Sequence, residues 1–248
     1  MRTKAKASGL SDIGRVRDTN EDQFLLDEEF GLYAVADGMG GHAAGEIASE
    51  LAIQSLAEKL RETSLTGSAP TVEEARRQLA DAVGAANRKI CASIAAHDDR
   101  RGMGTTMVAL LVLPDRVVIG HVGDSRAYLL RRGSLRMLTS DHSWVNEQVR
   151  LGLLSHQEAH RHPMRNVVTR ALGSRGDVTP ELTEERIEHG DAFLLCSDGL
   201  NVMLSDDGIR ETLLRHKDDP EEACRALVDE ANRKGGEDNT TVIVVTIP

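Results

Sequence analysis

Three apolar, β-branched segments in mid-chain are joined by turns too short for a crossover. They are Thr105–Leu113, Arg116–Val122 and Arg126–Arg131, and they meet at Pro114-Asp115 and Gly123-Asp124. A parallel pair needs a connection of about a dozen residues or more, so this spacing predicts antiparallel strands. Runs such as Val108–Val112 and Val242–Val245 lack polar alternation and call for cover on both faces. Strands are also predicted at Gln23–Asp27 and Leu32–Ala36, around the turn Glu28–Gly31, and at Ala192–Ser197 and Thr240–Ile247. A helix is predicted from about Ala43 to Arg61. A second follows the Thr71/Glu74 capping box, with Val72, Ala75, Leu79, Val83, Ala86 and Ile90 at helical period. A late pair falls at Ser205–His216 and Glu221–Lys234, the latter with Asp219 as N-cap and Pro220 at the first helical position. The expected fold is α+β: a central sandwich of two antiparallel β-sheets flanked by pairs of α-helices. Thr63–Thr71 reads as a helix–helix connection, so 1–248 is expected to form one domain.

Composition removes several functions. The chain has 248 residues, 30 Lys+Arg against 40 Asp+Glu, a net charge of −10 and six aromatic side chains. Phosphate neutralisation and base stacking therefore lack material, which excludes a nucleic-acid partner. No run approaches the roughly 18 apolar residues of a membrane span, and no secretory signal opens the chain. Cys91, Cys196 and Cys224 are odd in number and far apart, as expected of reduced thiols in the cytoplasm.

The acid excess has a pattern. Carboxylates stand at the ends of the apolar strands: Glu21-Asp22, Asp37-Gly38, Asp124 after Gly123, Asp198-Gly199, and Asp238-Asn239. Each alone is ordinary turn chemistry. Together they place acids beside segments that must be buried, where an unpaired carboxylate is costly. If the strand ends meet at one rim, like charges there require cations. The donors are all oxygen, which selects Mg²⁺, Mn²⁺ or Ca²⁺ over zinc. Two such ions suit phosphate-ester hydrolysis, and Arg17, just before Asp22, could clamp a phosphate through its planar fork.

At these residues the chain resembles the protein phosphatase 2C (PPM) family in its bacterial form. The matching pieces run in family order from Asp12-Ile13-Gly14-x-x-Arg17-x-x-Asn20-Glu21-Asp22 through Val35-Ala36-Asp37-Gly38-Met39-Gly40-Gly41-His42. They continue with Gly102-Met103-Gly104-Thr105-Thr106, Gly120-His121-Val122-Gly123-Asp124-Ser125-Arg126, Leu138-Thr139-x-Asp141-His142-Ser143, Cys196-Ser197-Asp198-Gly199 and Glu237-Asp238-Asn239-x-Thr241. The resemblance implies a Mn²⁺- or Mg²⁺-dependent protein Ser/Thr phosphatase with two core ions and a weaker third. Asp37 would bridge the core pair. Gly38 would offer its carbonyl to the second ion, with Asp22 and Glu21 acting near it, partly through water. Asp198 and Asp238 would hold the first ion, supported by Asn239. Asp124 with Asp198 would hold the third. Arg17 would bind phosphate. The expected partners are phosphorylated Ser/Thr proteins, a cognate Ser/Thr kinase among them, with the enzyme acting as a cytoplasmic monomer.

Met39 departs from the pattern, because some eukaryotic relatives carry a His there, proposed as acid for the leaving alkoxide. A metal-bound water could supply that proton here. His42 is close in sequence, but a packing or capping role serves it equally well. Ser143–Pro163 is polar, His-rich and weakly helical, and Ser143–Arg170, with Arg161, Arg165 and Arg170, falls where the family has a flap. His156 and His160, four residues apart, lack a Glu-x-x-His setting and read as an exposed helix face. Two other functions stay open on the residues alone: a phosphatase of small phosphorylated molecules, and a non-catalytic regulatory binding module.

Overall fold

The computed structural model describes residues 5–40, 44–63, 70–174 and 176–248. The strands are β1 (Lys6–Asp12), β2 (Asp22–Asp27), β3 (Leu32–Met39), β4 (Gly104–Thr105), β5 (Met107–Val112), β6 (Arg116–Val122), β7 (Arg126–Arg131), β8 (Ser134–Met137), β9 (Glu181–Arg186), β10 (Ala192–Cys196) and β11 (Thr240–Thr246). The helices are α1 (Ala44–Thr63), α2 (Val72–Ala96), α3 (Trp144–Arg150), α4 (His156–Arg161), α5 (Asp198–Met203), α6 (Asp206–Arg215) and α7 (Pro220–Arg233). One sheet runs β1-β11-β10-β7-β8 and the other β2-β3-β5-β6-β9, with β4 pairing the end of β3. Every strand pairing is antiparallel.

The unbroken apolar strands feed two cores each. In β5, Met107, Ala109 and Leu111 pack toward α1 and α2, while Val108, Leu110 and Val112 fill the space between the sheets. In β10 and β11, Leu194, Cys196, Val242 and Val244 face α5–α7; Phe193, Leu195, Ile243 and Val245 face the sandwich. Side chains alternate across a strand, so an all-apolar run is what a middle layer needs on both sides. The layers are therefore α/β/β/α. The Thr71/Glu74 capping box forms at the start of α2, and Asp219 caps α7 with Pro220 behind it.

Two expectations change. The Gly123-Asp124 turn does not join neighbours: β6 pairs β5 and β9, while β7 pairs β10 and β8 in the other sheet. Gly123, at φ +106, turns the chain from one sheet to the other, and the His142 backbone N–H closes on its carbonyl at 2.9 Å. In addition, Leu32–Ala36 does not stop before its acid. β3 runs on through Asp37 to Met39 because β4 pairs Gly38 and Met39. The connection expected at Thr63–Thr71 lies largely outside the described residues.

Candidate active site

The topology brings the acidic motifs to one rim. Asp22 opens β2 directly opposite Asp37 near the end of β3, Asp124 follows β6, Asp198 opens α5 after β10, and Asp238 precedes β11. A pocket of about 220 Å³ there is lined by Arg17, Glu21, Asp37, Gly38, Asp124, Asp198, Asp238 and Asn239, together with Met39, Gly40, Thr106, Asn166 and Val168. Asp22 is the one expected ligand that does not line it, lying enclosed beneath the rim at 4 % exposure. His42 lies outside the described residues.

Several braces hold the acids. The Asp37 N–H donates to the Thr106 hydroxyl at 3.1 Å, and its carbonyl accepts from Thr106 N–H at 2.9 Å and the Thr105 hydroxyl at 2.8 Å. Thr106 and Ser125 hydroxyls meet at 2.6 Å, tying Asp37 to the Asp124 turn. Gly38 admits no side chain, since a Cβ would stand 2.5 Å from the Glu21 carbonyl and collide with that of Gly45. The Glu21 carboxylate accepts from the Gly45 N–H at the start of α1. Asn239 donates to the carbonyls of Ile13 and Thr19, both at 2.9 Å, and accepts from Glu21 N–H at 2.9 Å. Its amide is thus spent on the loop that carries Arg17. Arg17 reaches Asp238 at 2.6 Å through Nη2.

The electrostatics are those of acids short of cations. Burial, with Asp22, Asp198, Asp124 and Asp238 close by, pushes the Asp37 carboxyl well above the usual range. Burial lifts Asp22 to about 7 and Asp124 to about 7, each with Asp198 adding repulsion. Burial and then Asp238 lift Asp198 to about 6. Burial also raises Glu21. Burial works against the Arg17 cation, but Asp238, Asp198 and Asp37 outweigh it and raise its pKa. The Asp22 Oδ1 atom is buried without a partner. An all-oxygen donor set, mutually repelling carboxylates and an orphaned acceptor fit hard divalent cations.

A second group, His121, His142 and Glu181, has ligand types for a transition metal. The two rings stack at 4.6 Å with planes 8° apart. An imidazole lone pair lies in its own ring plane, so stacked rings cannot aim at one ion. His142 Nδ1 instead accepts the Gly123 N–H at 3.0 Å. Its pKa falls to about 4, through burial and then His121 and Arg170, so the ring is neutral. This group braces the Asp124 turn.

The 143–170 segment contains α3 and α4, and its two roots are paired. Ser143 bridges Val168, Trp144 N–H donates to Val167 O, and Thr169 N–H to His142 O. A second cavity of about 500 Å³ lies between it and α5, lined by Val145, Val149, His156 and Arg165 on one side and Asn201, Val202 and Met203 on the other. It shares Asp124, Asn166 and Asp198 with the acid pocket. Thr106, Asn166 and Val168 carry no role in the sequence reading. Thr106 sits in a quoted motif, whereas nothing local to Asn166 or Val168 signals their return to the rim.

A four-layer α/β/β/α sandwich with an oxygen-only acid rim and an arginine at its mouth defines a metal-dependent phosphoester hydrolase. The family described as Protein phosphatase 2C matches residues 15–235, and the chain belongs to it. It is similar to the serine/threonine phosphatase stp of Listeria monocytogenes, 40% identical over 238 residues, 95% of this chain and 93% of that protein. It is 42% identical over 239 residues to the serine/threonine protein phosphatase PstP of Mycobacterium tuberculosis, spanning 96% of this chain and 44% of PstP. The crystal structure of that phosphatase (PstP/Ppp) superposes with a TM-score of 0.89 at 41% identity, covering 98% of both chains. The PstP catalytic domain with two manganese ions gives a TM-score of 0.85 at 40% identity, covering 98% of this chain and 97% of that one. Membership makes the chain a metal-dependent serine/threonine phosphatase, a hydrolase of phosphoric monoesters that uses Mn²⁺ or Mg²⁺.

Proposed function

We propose that this chain hydrolyses phosphoserine and phosphothreonine in proteins by direct attack of water, with no covalent phosphoenzyme. The observation that carries the reading is the convergence of Asp37, Asp124, Asp198, Asp238 and Arg17 on one small pocket. Asp37 would bridge two cations, with Asp198 and Asp238 on the first and the Gly38 carbonyl on the second. Asp22 and Glu21 would serve the second through water, and Asp124 with Asp198 would hold a weaker third. Bound there, the ions supply a nucleophilic water at neutral pH and offset charge on the phosphoryl oxygens. Arg17, half-exposed at the pocket mouth, orients the phosphate through two N–H groups. Asn239 holds the Arg17 loop, and Thr105 and Thr106 fix Asp37. Met39 stands where some eukaryotic relatives carry the histidine, and among the described residues lining the pocket none is a histidine, so the leaving oxygen would draw its proton from water. The 143–170 segment, its roots pinned next to Asp124, shapes access as a flap. The partners this reading implies are phosphorylated proteins and a Ser/Thr kinase that the enzyme opposes, with the enzyme acting as a cytoplasmic monomer.

A Mn²⁺-titrated assay on phosphothreonine peptides, against a sugar phosphate and with chelator controls, tests the reading. Metal-dependent turnover of the peptide over the sugar phosphate is expected. Equal or greater turnover of the sugar phosphate would move the substrate class to small molecules.

A further inference from the structure

Asp22 is a fully enclosed carboxylate with only one oxygen satisfied. Oδ2 accepts the Ser197 hydroxyl at 2.7 Å, while Oδ1 has no partner. It stands directly cross-strand from Asp37, so both side chains leave the sheet on the same face.

The protons around it can be followed one by one. The Thr241 N–H donates to Ser197 Oγ at 2.9 Å, which fills that oxygen and commits its single proton to Asp22. On the other side, Asn20 Nδ2 donates to Ser11 Oγ at 2.9 Å, and the Ser11 and Thr241 hydroxyls are 2.7 Å apart. Either of those two hydroxyls can be the donor. The Asp22 N–H returns to Asn20 Oδ1 at 3.1 Å and closes the circuit. The carboxylate is thus held by one hydroxyl, at the end of β10, whose partners leave its proton no other course. Ser197 and Thr241 are both completely buried, so no solvent shares this task.

Building on the metal-dependent reading, we propose that Ser197 is a positioning residue for the metal centre. Its hydroxyl, oriented by the Thr241 N–H, fixes the rotation of the Asp22 carboxylate and leaves Oδ1 as the free acceptor on the sheet face it shares with Asp37. The same contacts join β2 in one sheet to the end of β10 and to β11 in the other.

The test is Mn²⁺ binding by calorimetry on chelator-stripped protein, with circular dichroism and a thermal melt for each variant. Ser197→Ala should weaken Mn²⁺ binding roughly 10-fold or more. Ser197→Thr, which keeps the hydroxyl, should bind far closer to wild type, and so should Thr241→Val, which keeps the N–H that orients Ser197. Ser197→Ala that is folded and binds Mn²⁺ like wild type, whatever its melting point, would overturn the proposal, as would an equal loss in Thr241→Val. If Ser197→Ala fails to fold, Ser197→Cys, of similar size with a weaker donor, decides in its place, and wild-type binding there overturns the proposal. Wild-type protein that binds no Mn²⁺ would instead sink the metal-dependent reading on which this rests.

Discussion

Strand β10 has an aspartate beyond each end, Asp191 buried and Asp198 half-buried in the wall of the pocket, and the two are treated in opposite ways. Asp191, 1 % exposed, is gripped by Arg131 through Nε at 2.8 Å and Nη2 at 2.7 Å, and it also accepts the Glu188 N–H at 2.8 Å. Asp198, at the other end, has no ion pair among the described residues. The arginine just across the sheet, Arg126, is committed to Asp141 by a two-bond fork at 2.9 and 2.7 Å. The chain can therefore neutralise a buried acid from its own side chains, and at one end it does. Among the described residues lining the acid pocket it supplies one arginine, Arg17, whose ion pair is with Asp238. A buried carboxylate provided with an internal cation is structural; on the proposed ligand set, the one left without would take a cation from solution.

The contrast can be broken by exchanging the two roles. Asp198→Ala and Asp37→Asn should each cut Mn²⁺-dependent turnover by roughly 10³-fold or more, because losing metal chemistry costs several kcal/mol. In chelator these variants should melt no lower than wild type, since each removes a repelling charge. Near-wild-type turnover in either would end the assignment. Asp191→Asn should do the reverse. It should cost about 3 kcal/mol, at the low end for breaking such a pair because Arg131 keeps Glu185 and Glu188. That is a fall in melting temperature of about 6–12 °C for a chain of this size, and Mn²⁺ affinity of the folded fraction should not change. Loss of Mn²⁺ binding without loss of stability would erase the distinction.

Arg17→Ala sharpens it further. Steady-state kinetics should show kcat/KM down by about 10²-fold, as for removal of one charge-stabilising donor. Mn²⁺ affinity should be equal or tighter, because a competing cation leaves Asp238. The last effect is in pH. Asp22 and Asp124 rise to about 7 and Asp198 to about 6 in the folded state, from about 4 when unfolded. Between those values the folded chain holds more protons than the unfolded one, so stability in chelator must fall as pH rises from about 4 through about 7. Scanning calorimetry should show a melting temperature several degrees lower at pH 8 than at pH 5. Saturating Mn²⁺ should reverse the trend, because the ions bind the deprotonated site. A flat or rising profile in chelator would contradict the crowding of acids at the rim.

The middle layers were legible because β5, β10 and β11 are apolar on both faces, a pattern few other settings allow. The rim acids were legible as interruptions in that pattern. The strands the sequence reading missed, β1, β8 and β9, all lie at sheet edges. Glu181–Arg186 and Ser134–Met137 are charged or polar there, as edges must be to avoid pairing with other chains, and that chemistry imitates a loop. The sheet change at Gly123 was hidden because a tight Gly-Asp turn looks the same whether it closes a hairpin or crosses a sandwich. Asp22 stands at the expected rim, opposite Asp37. Its depth beneath the pocket goes with Ser197 and the Thr241 backbone, from a distant part of the chain that no local pattern links to it.

The acids of the rim come from both halves of the sandwich: Asp22 and Asp37 from one sheet, Asp198 and Asp238 from the segments flanking strands of the other. On the proposed ligand set, an ion shared among them would be a rivet through two plates, joining β2 and β3 to the segments beside β10 and β11. Any ligand that binds only the folded protein stabilises it by mass action, but this one would do so at the seam where the sheets would otherwise part. Shearing the plates and losing the ions would be one event, so the chemistry that makes the site reactive would also set how the fold comes apart.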